Sequence, residues 1–328
     1  MAGNISSEKI DLLVYGPNKP IVDNGFSDQF VLHPAETRND LERLSPAVAA
    51  KIRGAAVTYS TARCDSAVMA LLPKLEIVAS FGVGYDHVDA KYASEHKIVV
   101  TNTPDVLTEE VADIALGLLI ATLREFIKAD RYLRSGLWTT QQFPLSVGSL
   151  RDRKVGMVGM GRIGQAIGRR LEASKVPVVY HSRNPAPGVS YKHYPDLIEM
   201  AKAVDTLVVI VPGGPSTAKM VNADVMKALG PRGVIINVAR GSVIDEVAMV
   251  AALKSGAILA AGLDVFANEP AVPDELKAMQ NVVLLPHIGS ASVVTRNAMD
   301  QLVVDNLKVW FAGKPPLTPI AETPVTSR

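Results

Sequence analysis

The chain has 328 residues, 48% hydrophobic and 20% charged, with a formal net charge of +1. That length predicts two domains, and the near-neutral charge without a long basic block argues against nucleic acid as the main partner. One cysteine, Cys64, excludes a disulfide framework and a cysteine metal cluster, the polar residues 1–9 lack an apolar signal core, and the most apolar helical stretch, residues 111–123, is too short to span a bilayer, so a cytoplasmic protein with no membrane and no catalytic metal is expected.

In the first hundred residues, strand-like runs at 11–15, 30–33, 55–59, 75–79 and 98–101 alternate with helical patterns. Short apolar strands joined by helical crossovers predict an open parallel sheet with helices on both faces. After the fourth run comes Ser80-Phe81-Gly82-Val83-Gly84-Tyr85-Asp86. Two glycines at a strand's carboxyl end leave backbone N–H groups that can hold a small anion, although an ordinary turn fits as well. Asn102-Thr103-Pro104 breaks the pattern and is a candidate hinge. Thr108 is a candidate N-cap for an apolar, buried helix running to about Phe126 or on to Leu133. Ser135-Gly136 ends it, and an apolar loop with Trp138 and Phe143 follows.

Residues 154–158 then form a strand that runs into Gly159-Met160-Gly161-Arg162-Ile163-Gly164, with a helix over 165–172 and a second strand over 176–180. Gly159 permits a tight turn, Gly161 lets a pyrophosphate approach the backbone, and Gly164 lets helix and strand pack closely. The free N–H groups at the helix start face the phosphates, so this unit predicts a dinucleotide site. Further strands cover 205–211, 233–238, 258–265 and 282–285. Each stops at small or polar residues, so ligand groups gather along one rim: Val211, Pro212 and Thr217 after the first, then Val238, Ala239 and Arg240, then Asp264, then His287 and Gly289. A helix over about 293–311 should return the chain to the first sheet, followed by an irregular, proline-rich tail. The expected fold class is α/β, with two doubly wound parallel-sheet domains. A Rossmann cofactor domain, 103–291, is inserted into a flavodoxin-like substrate-binding domain, 1–102 plus 292–328.

Three polar residues stand just past predicted strands: Arg240, Glu269 and His287. A guanidinium among apolar and glycine neighbours can hold a carboxylate with a two-pronged hydrogen bond, or can be a surface ion pair. An imidazole can move one proton near neutral pH, or can be a satisfied strand-end histidine. Glu269 can orient that ring, or can be a solvated loop carboxylate. Together with a nucleotide they suit reduction of a 2-oxo acid, with a cation for the carboxylate and an acid for the carbonyl oxygen.

With these blocks in order, the chain resembles the D-2-hydroxyacid dehydrogenase family over nearly its whole length. The marks are Gly82-Val83-Gly84-Tyr85-Asp86, the Gly159, Gly161, Gly164 fingerprint, and Asn237-Val238-Ala239-Arg240-Gly241. To these are added the Gly262-Leu263-Asp264-Val265-Phe266 to Glu269-Pro270 run and Pro286-His287-Ile288-Gly289. The resemblance implies that Arg240 binds the 2-oxo acid, that His287 is the acid/base, and that Glu269 pairs with it. It implies that the backbone of Val83 and Gly84 holds the carboxylate. Val238, Ala239, Asp264 and Gly289 would lie around the nicotinamide and Thr108 near its ribose. It also implies a homodimer through the cofactor domain, with Trp138 and Phe143 on an arm reaching the other subunit.

The sequence departs from the NAD-using pattern at His181-Ser182-Arg183-Asn184, where no acid stands to bind a ribose 2′-hydroxyl. Ser182 can donate a hydrogen bond and Arg183 offers a fork suited to phosphate, so NADPH is expected over NADH. This pair resembles NADPH-dependent glyoxylate and hydroxypyruvate reductases. The expectation is reduction of glyoxylate and hydroxypyruvate to glycolate and D-glycerate, with His287 as proton donor. The rivals are a reductase of bulkier 2-oxo acids such as phenylpyruvates, and a non-enzymatic NAD(P)-sensing interaction protein.

Overall fold

A computed structural model describes residues 9–58 and 62–325, so Tyr59, placed in the third predicted strand, lies outside the described residues. The chain forms two compact units, passing from one to the other between Leu107 and Thr108 and back between Ala291 and Ser292.

The first unit holds β1 (Ile10–Tyr15), β2 (Phe30–Ala35), β3 (Ile52–Val57), β4 (Ile77–Ser80) and β5 (Val99–Thr101). They form one parallel sheet in the order β2-β1-β3-β4-β5, the flavodoxin-like order. β4 and β5 are buried throughout, which is why they read as unbroken apolar runs. The Val293–Phe311 helix packs on this sheet. Gly54 in β3 makes that approach possible, because a Cβ there would lie 2.9 Å from the Phe311 ring and 3.2 Å from Leu307. The segment after the helix is more ordered than its prolines suggest. Pro319 bridges Thr101 in antiparallel fashion, and Ile320 N–H donates to Val100 O at 2.9 Å.

The second unit holds β6 (Val155–Val158), β7 (Val178–His181), β8 (Lys192–Tyr194), β9 (Thr206–Val209), β10 (Val234–Asn237), β11 (Ala260–Leu263) and β12 (Val282–Leu284). All are parallel, in the order β12-β11-β10-β9-β6-β7-β8. This is the dinucleotide-binding order with one strand added, and its order reverses at β6 and β9, where such sheets bind ligands. The edge strand β8 was not among the predicted elements.

The Thr108–Leu123 helix packs across β10, β11 and β12. At Gly262 a Cβ would sit 2.6 Å from Thr122 Oγ1 and 2.8 Å from Leu118 Cγ, so glycine sets the helix-to-sheet distance. The helix is shorter than expected. Glu125 takes a left-handed φ of +52°, and a separate helix, Phe126–Arg134, begins after it. Thr108 is the first residue of its helix rather than the cap before it. The arm beyond exposes Leu133 at 54%, Trp138 at 65% and Leu145 at 96%. Among the described residues no helix is long and apolar enough to cross a membrane.

Candidate active site

The β6 turn has the shape a pyrophosphate requires. Gly159 has φ +108°, and a Cβ on it would lie 2.7 Å from Ile210 O, just past β9. A Cβ on Gly164 would lie 2.5 Å from Gly159 O, so the Arg162–Ala173 helix rests on the turn itself. Gly161 caps that helix without a side-chain hydrogen bond, and a Cβ there would meet no heavy atom within 4 Å. The space beside Gly161 at the start of the helix is therefore open, which leaves room for a phosphate to approach. Met160 is buried, Ile163 half-buried and Arg162 exposed. On the neighbouring rim, the Thr217 hydroxyl donates to Pro212 O at 2.7 Å and closes the turn that follows Val211. Thr108 Oγ1 is buried and has no hydrogen-bond partner among the described residues, a polar atom that a ligand hydroxyl could satisfy.

At the far end of β7, Arg183 is exposed and forms no ion pair among the described residues. Ser182 Oγ donates to Asn184 O at 2.6 Å, so it must turn to donate to a ligand. The turn is braced from β8, where His193 Nε2 bonds to Ser182 O at 2.9 Å. No acidic side chain stands in this stretch.

The carboxyl ends of β10, β11 and β12 bring Arg240, Glu269 and His287 into one cluster. His287 Nδ1 donates to Glu269 Oε2 at 2.7 Å, and Phe266 N–H donates to Glu269 Oε1 at 3.0 Å. Burial opposes ionisation of Glu269, yet the bonds from His287 and Phe266, with the charges of His287 and Arg240, hold its carboxyl below the ordinary range. His287 Nε2 makes no hydrogen bond among the described residues and is the nitrogen left to meet a reactant. Arg240 is half-buried, and its Nη1 donates to Ala239 O at 2.8 Å. Its backbone is placed by Asn237, whose amide donates to Arg240 O and accepts from Ala239 N–H. Val238 and Ala239 are buried beside it.

Two residues outside this trio support it. Gly241 lies so close to the chain leading to Glu269 that a Cβ would be 1.8 Å from Phe266 C. Asp264, at the end of β11, is buried and accepts from Ile288 N–H at 2.7 Å and Gly289 N–H at 2.8 Å, while its own carbonyl accepts His287 N–H. Burial pushes its carboxyl above the usual range despite those bonds. Besides the place near the nicotinamide expected of Asp264 and Gly289, the two are joined in a bracket that has no local signal in the sequence. The glycine after Arg240 was visible in the sequence, but its contact depends on the fold.

In the first unit, Gly82 takes φ +122° directly after β4 and Phe81. The N–H groups of Val83 and Gly84 make no hydrogen bond among the described residues, so the turn presents two free donors. Among the described residues no group of three His, Cys, Asp or Glu side chains is placed to hold a metal ion.

Known proteins resemble the chain over most of its length. Residues 116–289 match the family model for the D-isomer specific 2-hydroxyacid dehydrogenase NAD binding domain. A glyoxylate/hydroxypyruvate reductase A of Arabidopsis thaliana is 45% identical over 313 residues, covering 95% of this chain and 99% of that protein. A hydroxyphenylpyruvate reductase of Plectranthus scutellarioides is 44% identical over the same shares. The crystal structure of an NADPH-dependent glyoxylate/hydroxypyruvate reductase of Sinorhizobium meliloti, in complex with NADP and malonate, is 53% identical with a TM-score of 0.91, covering 96% of this chain and 98% of that one. With its glycine turn, its parallel sheets and its relatives in agreement, the chain belongs to the D-isomer specific 2-hydroxyacid dehydrogenases, and its second unit carries their NAD(P)-binding domain.

Proposed function

We propose that this protein is an NADPH-dependent reductase of small 2-oxo acids, with glyoxylate and hydroxypyruvate as leading substrates and glycolate and D-glycerate as products. The observation that carries the reading is the 2.7 Å His287–Glu269 pair beside Arg240, built on a nucleotide-binding unit. When bound, the nicotinamide supplies the hydride. Arg240 holds the substrate carboxylate and polarises the neighbouring carbonyl, and the N–H groups of Val83 and Gly84 bind the same carboxylate. His287, with Nδ1 tied to Glu269, gives its Nε2 proton to the carbonyl oxygen as the carbon is reduced. Glu269, accepting from Nδ1, fixes the ring's orientation and leaves Nε2 for the substrate. A pure nucleotide sensor has no need of such an acid.

The glycine turn from Gly159 to Gly164 would hold the pyrophosphate, and Thr108, Val211, Pro212, Thr217, Val238, Ala239, Asp264 and Gly289 would line the rest of the cofactor. Preference for NADPH rests on Ser182 and Arg183 and on the lack of an acid beside them. It is supported by the NADPH dependence named for the Sinorhizobium meliloti relative. A homodimer is part of the same reading. The exposed apolar arm carrying Leu133, Trp138 and Phe143 would be covered by the second subunit. A cytoplasmic location goes with it.

The test is cofactor oxidation followed by absorbance with glyoxylate, hydroxypyruvate and hydroxyphenylpyruvate, each with NADPH and NADH. Turnover of the two small acids with NADPH is expected, and Arg183→Ala should raise the KM for NADPH about tenfold or more while leaving NADH within about twofold. A preference for NADH would overturn the cofactor assignment. Higher kcat/KM for the aromatic acid would favour the second reading, a reductase of bulkier 2-oxo acids. That reading has its own support in the 44% identity to a hydroxyphenylpyruvate reductase.

A further inference from the structure

The peptides that carry the two free donors of the first unit are hydrogen-bonded to Asn102 and Thr103. A trans peptide is planar, so its carbonyl and its N–H point in opposite directions. The peptide that carries Val83 N–H also carries Gly82 C=O, which accepts from Thr103 N–H at 2.9 Å. Gly82 N–H in turn donates to Thr103 Oγ1 at 2.9 Å. The peptide that carries Gly84 N–H also carries Val83 C=O, which accepts from Asn102 Nδ2 at 2.9 Å. Asn102 and Thr103 thus hold both carbonyls on one side and leave both N–H groups directed to the other.

Asn102 is itself held from the far end of the chain. Its carbonyl accepts the Thr318 hydroxyl at 2.6 Å, and its N–H donates to Thr318 O at 3.2 Å. Thr318 Oγ1 accepts from Asn306 Nδ2 at 2.9 Å. Asn306 is fully buried and uses its whole amide here: its oxygen accepts from Leu317 and Thr318 N–H, and its nitrogen also donates to Leu302 O. A second grip lies at the other side of the turn, where the Tyr85 hydroxyl donates to Glu322 at 3.0 Å. Burial, and then the Glu322 carboxylate, push that phenol up to about 12. Simple docking of the segment after the last helix would need only apolar packing, whereas these bonds lead through Asn102 and Tyr85 to one turn.

Resting on the reading that Val83 and Gly84 bind the 2-oxo acid carboxylate, we propose that Asn102 and Thr103, backed by Thr318 and Asn306, are positioning residues that aim those N–H donors. The segment after the Val293–Phe311 helix is then a working part of the substrate site.

The test is steady-state kinetics of the full chain with NADPH and glyoxylate. Thr318→Val keeps the side-chain shape and removes the hydroxyl. The KM for glyoxylate should rise about tenfold, with kcat and the KM for NADPH within about twofold, and Thr318→Ser should restore it. Asn102→Ala should raise the same KM further. If Thr318→Val does not fold, Tyr85→Phe serves, with a smaller rise in the KM for glyoxylate alone expected. An unchanged glyoxylate KM in the folded variants, with only the melting temperature lowered, would overturn the proposal and leave the reductase reading intact. A wild-type protein that oxidises NADPH with no 2-oxo acid would instead remove the reading on which it rests.

Discussion

His287 sits at φ +55°, a left-handed conformation that costs a non-glycine residue on the order of 1 kcal/mol. Asp264 holds it there through three backbone N–H groups. That bracket was not legible in the sequence, because Asp264 and Ile288 are far apart along the chain and meet only once β11 and β12 pair. Arg240 and His287 stood out in the sequence because each comes just past an apolar strand and carries a charge or proton that such a place seldom keeps, whereas Glu269, in a loop after Asn268, gained meaning only beside them. Two outcomes follow from the pair. Replacing His287 by Ala should lower kcat by about 10²- to 10⁴-fold, the usual worth of a placed acid. Glu269→Gln should lower kcat as well, since the ring loses the carboxylate that accepts from its Nδ1 at 2.7 Å and fixes its orientation. An unchanged kcat in Glu269→Gln would count against Glu269. The same carboxylate also links pH to stability. Its folded value lies below its unfolded one, so its contribution is present above the ordinary carboxylate range and fades as pH falls through the depressed value. The melting temperatures of wild type and Glu269→Gln should therefore differ most near neutrality and converge in acid.

At the level of elements, the strands declared themselves because the inner ones are buried on both faces and end in glycine, proline or polar residues. β8 escaped because Lys192-His193-Tyr194 is a three-residue edge strand, partly exposed and without an apolar run. The break at Glu125 escaped because Arg124 and Glu125 are good helix formers, and nothing local marks a left-handed residue there. Glycine contacts divide in the same way. The Gly159 to Gly164 turn follows from its spacing, whereas the crowding at Gly241 depends on where the Phe266 backbone comes to lie. Gly241→Ala should accordingly displace the loop that carries both Arg240 and the approach to Glu269. Chemical denaturation should show a loss of about 3 kcal/mol, and activity should fall further than stability alone accounts for. Equal stability and activity in that variant would mean that the two loops give way easily.

For the molecule as a whole, two parallel-sheet α/β units were legible in the alternation of short apolar strands with helices. The state of assembly rests on the arm, where Leu133, Trp138 and Leu145 leave apolar surface in water. Light scattering should give twice the chain mass. Charged replacements at Leu133 and Trp138 should shift it towards a single chain, while a monomeric wild type at micromolar concentration would rule out the dimer.

The position of the Val293–Phe311 helix has a consequence for synthesis on the ribosome. The second unit is contiguous from Thr108 to Ala291, but the first sheet needs Leu307 and Phe311 against Gly54, and Ile320 beside Val100. Domains generally fold as units while the chain emerges. Here the unit that begins later in sequence should finish first, and the one containing the first strands must wait for its closing helix. A chain stopped after Ala291 should therefore yield a protease-resistant core over the second unit while β1 to β5 are digested. Protection of both at that length would show that the first sheet closes without its last helix.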